Sequence, residues 1–183
     1  AAGRMTPEQH AIARPEAVEA EAVYRAICLT EITGCPLYIV HVSTERALNL
    51  IRDAQGRGLP VTAETCPQYL LLDESCYAKA DFEAAKYVMS PPLRDRRNQA
   101  GLWRGLIDGS IFCVGSDHCS FNWHGQKELG RQDFSLIPNG APGVEHRFGL
   151  LYTFGVGSGL LSLQEFVRAT STNAAKLFGL YPG

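Results

Sequence analysis

With 183 residues, the chain is long enough for one domain with a substantial core and short for two. Hydrophobic residues make up 45% and charged residues 20%, an ordinary globular balance. The formal net charge of −2 leaves no basic footprint for nucleic acid or an anionic membrane, and no run reaches the roughly 18–20 apolar residues of a membrane span.

The opening AAGRMTPEQH has no apolar signal core, and the lack of a leading methionine fits a piece of a longer protein. Residues 15–33 read as a helix. Pro15 suits the first position, Glu16, Glu19 and Glu21 suit the amino-terminal half, and Gly34 suits the end. Ala22, Val23, Ala26, Ile27 and Leu29 supply the apolar stripe expected to be buried. PLYIVHVS (36–43) is a near-continuous apolar run, as expected of a strand buried on both faces of a parallel sheet. TERALNLIRDAQGRG (44–58) reads as the next helix and LPVTAETCP (59–67) as the next strand.

KYVMSPP (86–92) reads as a short extended segment, RNQAGLWRGLIDG (97–109) as a helix and SIFCVGSDH (110–118) as a third buried strand. Residues 119–143, rich in Gly, Asn, Pro and Asp, form a loop of functional length. Amphipathic segments follow at 143–156, 161–171 and 172–180. The alternation predicts an α/β fold with a parallel sheet. No strand is followed by a glycine-rich phosphate turn, which disfavours dinucleotide binding. The strands end instead in His41, Glu64-Thr65-Cys66 and Asp117-His118, the pattern by which a (β/α)8 barrel builds its site at the carboxyl ends of its strands. Three such strands are less than half a barrel, and an open sheet of this kind would expose its edges and favour association.

The six cysteines contain no C-x-x-C pair, so reduced thiols and a cytoplasmic setting are expected rather than disulfides or a zinc ribbon. His41 reads either as a hydrogen-bonded structural histidine or as a metal ligand. Asp117, at the end of an apolar strand, reads either as a cap for the following turn or as a ligand and proton acceptor. Facing one mouth, the two would offer nitrogen and oxygen donors suited to zinc. His118 points away from Asp117 if the strand continues. His10, His124 and His146 read as structural or surface residues. A cysteine hydrolase built on Cys66 or Cys119 is disfavoured, because neither is expected to open a helix with a flanking glycine turn, where a thiolate would be stabilised.

The runs YIVHVS (38–43), AETCPQYLLLD (63–73), KYVMSPPLR (86–94), VGSDHCSF (114–121), QKELGRQDFSLIPNG (126–140) and STNAAKLFGLYP (171–182) together resemble the dihydropyrimidinases and D-hydantoinases. These are cyclic amidohydrolases of the amidohydrolase superfamily, and the resemblance is collinear over almost the whole chain. It implies that residues 1–183 are the C-terminal portion of a metal-dependent hydrolase barrel, with helical segments at about 143–183. The rest of a small β-sandwich domain would then lie outside. It also implies two zinc ions, bridged by a carboxylated lysine and a water-derived hydroxide.

By the same resemblance, His41 is a metal ligand, and Asp117 is both a metal ligand and the acid/base. Ser90 and Asn139 contact the substrate, largely through backbone atoms. The H-x-H pair, the bridging lysine, a further histidine and an oxyanion-stabilising tyrosine would precede residue 1. The implied activity is hydrolysis of the ring amide of dihydropyrimidines or 5-substituted hydantoins to N-carbamoyl amino acids by the longer protein, a homotetramer by the same resemblance, with this piece inactive alone. A second class stays open: a non-catalytic relative that keeps the barrel for assembly or protein binding.

Overall fold

A computed structural model describes residue 3 and residues 5–182. A single helical turn, Gln9–Ile12, leads into α1, Glu16–Thr33. Pro15 precedes α1 in an extended conformation, and Gly34 ends it at φ 69°, a left-handed value that glycine adopts without steric cost. Strand β1 (Leu37–Ile39) follows, then α2 (Glu45–Gly56), β2 (Val61–Thr65), α3 (Arg97–Asp108) and β3 (Cys113–Val114). The Thr44 side chain caps α2 by accepting from the Ala47 N–H.

The sheet is parallel, in the order β1-β2-β3, with Leu37 opposite Val61 and Glu64 opposite Cys113. Parallel neighbours need crossovers, and α2 provides one between β1 and β2, while the longer 66–112 segment with α3 provides the other. The core lies where these helices meet the sheet. Ala47, Leu48, Ile51 and Ala54 fall on one face of α2 and are fully buried, as are Leu102 and Leu106 of α3 and Ile111 before β3. A Cβ at Gly105 would sit 2.8 Å from Leu48 Cδ2 and 2.9 Å from Ile111 Cδ1, so α3 approaches α2 along a side-chain-free stripe.

Several expectations need correction. The strands are shorter than their apolar runs: β1 leaves the ladder after Ile39, where the chain turns left-handed at His41, and β1 and β3 each have β2 as their one neighbour. For the same reason β1 is half-buried rather than buried on both faces, and Val40 is exposed. In α1 the buried side chains are Ala20, Val23, Ile27 and Thr30, whereas Leu29 and Ala22 face outward. Tyr87 belongs to a 3-10 turn, Glu83–Tyr87, not to an extended segment. The carboxyl-terminal segments are helical, Arg147–Leu151, Leu163–Val167 and Asn173–Leu177, with wider turns at Tyr152–Val156 and Arg168–Thr172.

Candidate functional site at the carboxyl ends of the strands

The three strands run the same way, so His41, Cys66 and Asp117 all fall beyond the same edge of the sheet. Among the described residues only four non-glycine positions have positive φ, and two of them are His41 (44°) and Asp117 (47°). A left-handed conformation costs an L-residue on the order of 1 kcal/mol, and such strain gathers at working sites. Asp117 is exposed, which corrects the expectation that burial would oblige it to find a partner. Its strained backbone, rather than desolvation, is what singles it out.

His41 lines a cavity of about 590 Å³ together with Val23 of α1, Ile39 of β1, Ser90 and Arg94. A larger groove of about 690 Å³, lined by Leu70, Trp103 and Phe154, contains none of the four expected site residues. Ser90 joins Asn139, its Oγ donating to Asn139 Oδ1 at 2.9 Å, so two distant loops meet beside His41. The amide of Gly140 reinforces this seam by donating to the Val88 carbonyl at 3.0 Å. Ser90 thus shares a cavity with His41 and a hydrogen bond with Asn139, while Asp117 stands at the far strand of the same edge.

Three buried polar groups fix these loops, and sequence reasoning assigned a site role to none of them. The first is Glu19, read from sequence only as a favourable charge early in a helix. Its carboxylate accepts from the Ser43 N–H at 2.9 Å, from the Thr44 N–H at 3.3 Å and from the Ser43 hydroxyl, just beyond His41. It also pairs with Arg94 at 2.9 Å, both side chains being at least nine-tenths buried. Arg94 in turn donates to Ser43 Oγ at 3.0 Å, so one ion pair ties the His41 loop to the 90–94 loop. The second is His10, whose Nε2 donates to the Met89 carbonyl at 2.7 Å while Nδ1 accepts from Arg14 at 3.1 Å. Burial pulls its pKa down to about 4, so the ring is neutral. The third is Lys127, only 5% exposed, whose Nζ donates to the carbonyls of Val88, Pro138 and Gly140. Burial lowers its pKa to about 8. The roles of Glu19 and His10 could not be recognised locally, because the loop residues they hold, Ser43 and Met89, lie 24 or more residues away.

At the end of β2, Glu64 accepts from the Tyr38 hydroxyl at 2.6 Å, and burial raises the tyrosine well above its usual range. Burial, with the Glu64 and Asp117 carboxylates nearby, likewise pushes the Cys66 thiol far up, which opposes a thiolate nucleophile there. His118 Nδ1 accepts from the Gly143 N–H at 3.1 Å, a structural role that turns the ring toward the 141–144 loop. His124 pairs with Glu128 on the surface at 3.1 Å, and His146 is exposed before a helix.

An imidazole and a carboxylate at one strand edge fit a zinc-type ion chemically. Among the described residues, no group of three or more His, Cys, Asp or Glu side chains could hold a metal ion. A metal site at this edge would need donors beyond His41 and Asp117.

A parallel α/β sheet with strained polar residues at its carboxyl edge belongs to the class of proteins that place their sites at strand ends. No protein-family model matches the chain. It is 51% identical to D-hydantoinase from Geobacillus stearothermophilus over 98% of its own length and 38% of that protein. The structure matches that of dihydropyrimidinase from Brevibacillus agri with a TM-score of 0.98 and 52% identity, over 99% of this chain and 39% of the other. L-Hydantoinase (dihydropyrimidinase) from Arthrobacter aurescens has the same backbone at lower identity, with a TM-score of 0.90 and 35% identity over 99% of this chain and 39% of that one. The chain belongs to the hydantoinase/dihydropyrimidinase family, and it spans about two fifths of the length of the relatives it matches.

Proposed function

We propose that the longer protein containing this chain hydrolyses the cyclic amide bond of a dihydropyrimidine or 5-substituted hydantoin, giving an N-carbamoyl amino acid. In this reading residues 1–183 are the C-terminal portion of a (β/α)8 barrel, and the remaining strands complete it. The observation that carries the reading is the pair of strained residues, His41 and Asp117, at the carboxyl ends of parallel strands. Ser90 and Asn139 support it by meeting in one seam beside His41.

His41 and Asp117 would be ligands to zinc. When bound, the metal lowers the pKa of water and polarises a carbonyl. Asp117, exposed at the strand end, takes a proton from the attacking water and returns it to the ring nitrogen as the C–N bond breaks. The 88–90 and 137–140 segments hold the ring amide through backbone N–H and C=O groups, which leaves the 5-substituent free to vary. A D-hydantoinase and an L-hydantoinase share this backbone over the matched 39% of their chains, which supports a choice of substrate hand made outside the backbone of this portion. We place the assembled enzyme, a homotetramer, in the cytoplasm. No helix among the described residues is long and apolar enough to cross a membrane.

Asp117→Asn in the full-length protein should cut turnover of dihydrouracil or hydantoin by about 10²–10⁴-fold while the protein stays folded, the usual weight of a general acid–base group. Near-normal turnover in that variant sinks the assignment. The 183-residue chain assayed alone should show no turnover.

A further inference from the structure

Lys127 is unusual in spending a buried ammonium entirely on backbone carbonyls. Its three N–H donors meet Val88 O at 2.9 Å, Pro138 O at 2.7 Å and Gly140 O at 2.9 Å. Lysine has three donors and no acceptor, so the side chain is saturated. It makes no ion pair among the described residues, and its nearest aromatic is the Phe121 ring, whose centroid is 5.6 Å from Nζ.

The carbonyls it gathers belong to two segments far apart in sequence. Val88 precedes Met89-Ser90, while Pro138 and Gly140 flank Asn139. Few other contacts bridge the segments. They are the Gly140 N–H to Val88 O and the Ser90 hydroxyl to Asn139 Oδ1. The latter lies at the exposed end, where water competes. Taking a lysine out of water is costly, and hydrogen bonds to a charged donor are about twice as strong as neutral ones. An uncharged residue would bring two loops together less firmly, and a pair of carbonyls would be left buried without donors.

We propose that Lys127 is a positioning residue for ring recognition: its ammonium clamps the 88–90 and 137–140 segments into a single edge, so that substrate affinity, not the bond-breaking step, depends on it. The inference rests on the cyclic-amide reading above, and deepens it by assigning the support of the binding edge to a residue that touches neither substrate nor metal. His10, donating to Met89 O, holds the same edge from its other side.

The test uses the full-length protein with dihydrouracil or hydantoin as the probe. Lys127→Met keeps the length and loses every donor. It should raise KM about tenfold or more and change kcat by less than about threefold, the signature of lost binding that is shared by ground and transition states. Hydrogen exchange in peptides covering 88–90 and 137–140 should speed up in the variant and stay unchanged at β2 and α2. If Lys127→Met does not fold, Lys127→Gln, which retains two N–H donors without charge, takes its place and should give a smaller rise in KM. An unchanged KM, or a fall in kcat at constant KM, overturns the inference while leaving the hydrolase reading standing. A wild-type protein that hydrolyses neither probe overturns the hydrolase reading itself, and the recognition role with it.

Discussion

His10 shows how much a single side chain can set. The ring is buried, donates from Nε2 to Met89 O and accepts at Nδ1 from Arg14, so only the neutral imidazole suits both partners. Its folded pKa of about 4 lies below the unfolded value of 6.5. Between those values the unfolded chain binds more protons than the folded one, so stability falls as the pH drops from 6.5 toward 4. By pH 5 this histidine alone should remove about 2 kcal/mol of stability relative to neutral pH, within a full effect of about 3 kcal/mol. Denaturant titrations at pH 7 and pH 5 measure the loss, and His10→Gln should show a smaller difference between the two. Equal pH sensitivity in wild type and variant would mean that other groups carry the acid response. The sequence placed His10 ahead of the first helix with a structural hydrogen bond, and it has one. What could not be read was that the bond reaches the loop bearing Ser90, since nothing local links position 10 to position 89.

At the scale of elements, the contact between α2 and α3 depends on Gly105. Its missing side chain leaves room for Leu48 and Ile111, both buried and unable to retreat. Gly105→Ala gains about 1 kcal/mol of helix propensity, while overpacking costs about 1–3 kcal/mol, so the net effect should be a loss of up to about 2 kcal/mol. Gly56, at the end of α2, meets nothing within 4 Å, so Gly56→Ala should leave stability unchanged or raise it. Thermal melts of the two variants compare them directly. Equal melting temperatures would show that the interface relaxes.

Apolar runs revealed each of these elements, because burial against a sheet demands them. The strand ends were not legible. Leu37 to Val40 reads as one apolar stretch, yet pairing stops at Ile39, although β2 runs on to Thr65, because the chain turns into a left-handed conformation at His41. The stripe of α1 was misjudged for a related reason: only one side of that helix is covered, so Leu29 and Ala22 remain outside.

The whole molecule has a well-packed side and a bare one. β2 is flanked on both sides, whereas β1 and β3 each have one neighbour, and above β1 the helix α1 exposes Val18, Tyr24, Leu29 and Ile32. Apolar surface of this extent on one face marks a surface meant to be covered. In the proposed barrel the remaining strands and helices cover it. Amide hydrogen exchange should therefore be faster at β1 and α1 in the 183-residue chain than in the longer protein, and equal in both at α2 and β2. Protection of β1 that is the same in both would argue against a barrel completed on that side. The candidate site divides along the same line. His41, Asp117, Ser90 and Asn139 could be named from short motifs, whereas the Glu19–Arg94 pair and the Lys127 cradle emerge only when loops 40 or more residues apart are folded together.

The left-handed backbone at His41 has a bearing on how the protein can change. Glycine would sit at φ 44° without strain, and alanine there would keep the strain and lose the ring. Loss of activity in an alanine variant thus reports the ring alone, whereas a glycine variant changes the backbone as well, and alanine is the cleaner comparison. In a lineage released from the need for catalysis, position 41 is free to drift toward residues that relax the turn.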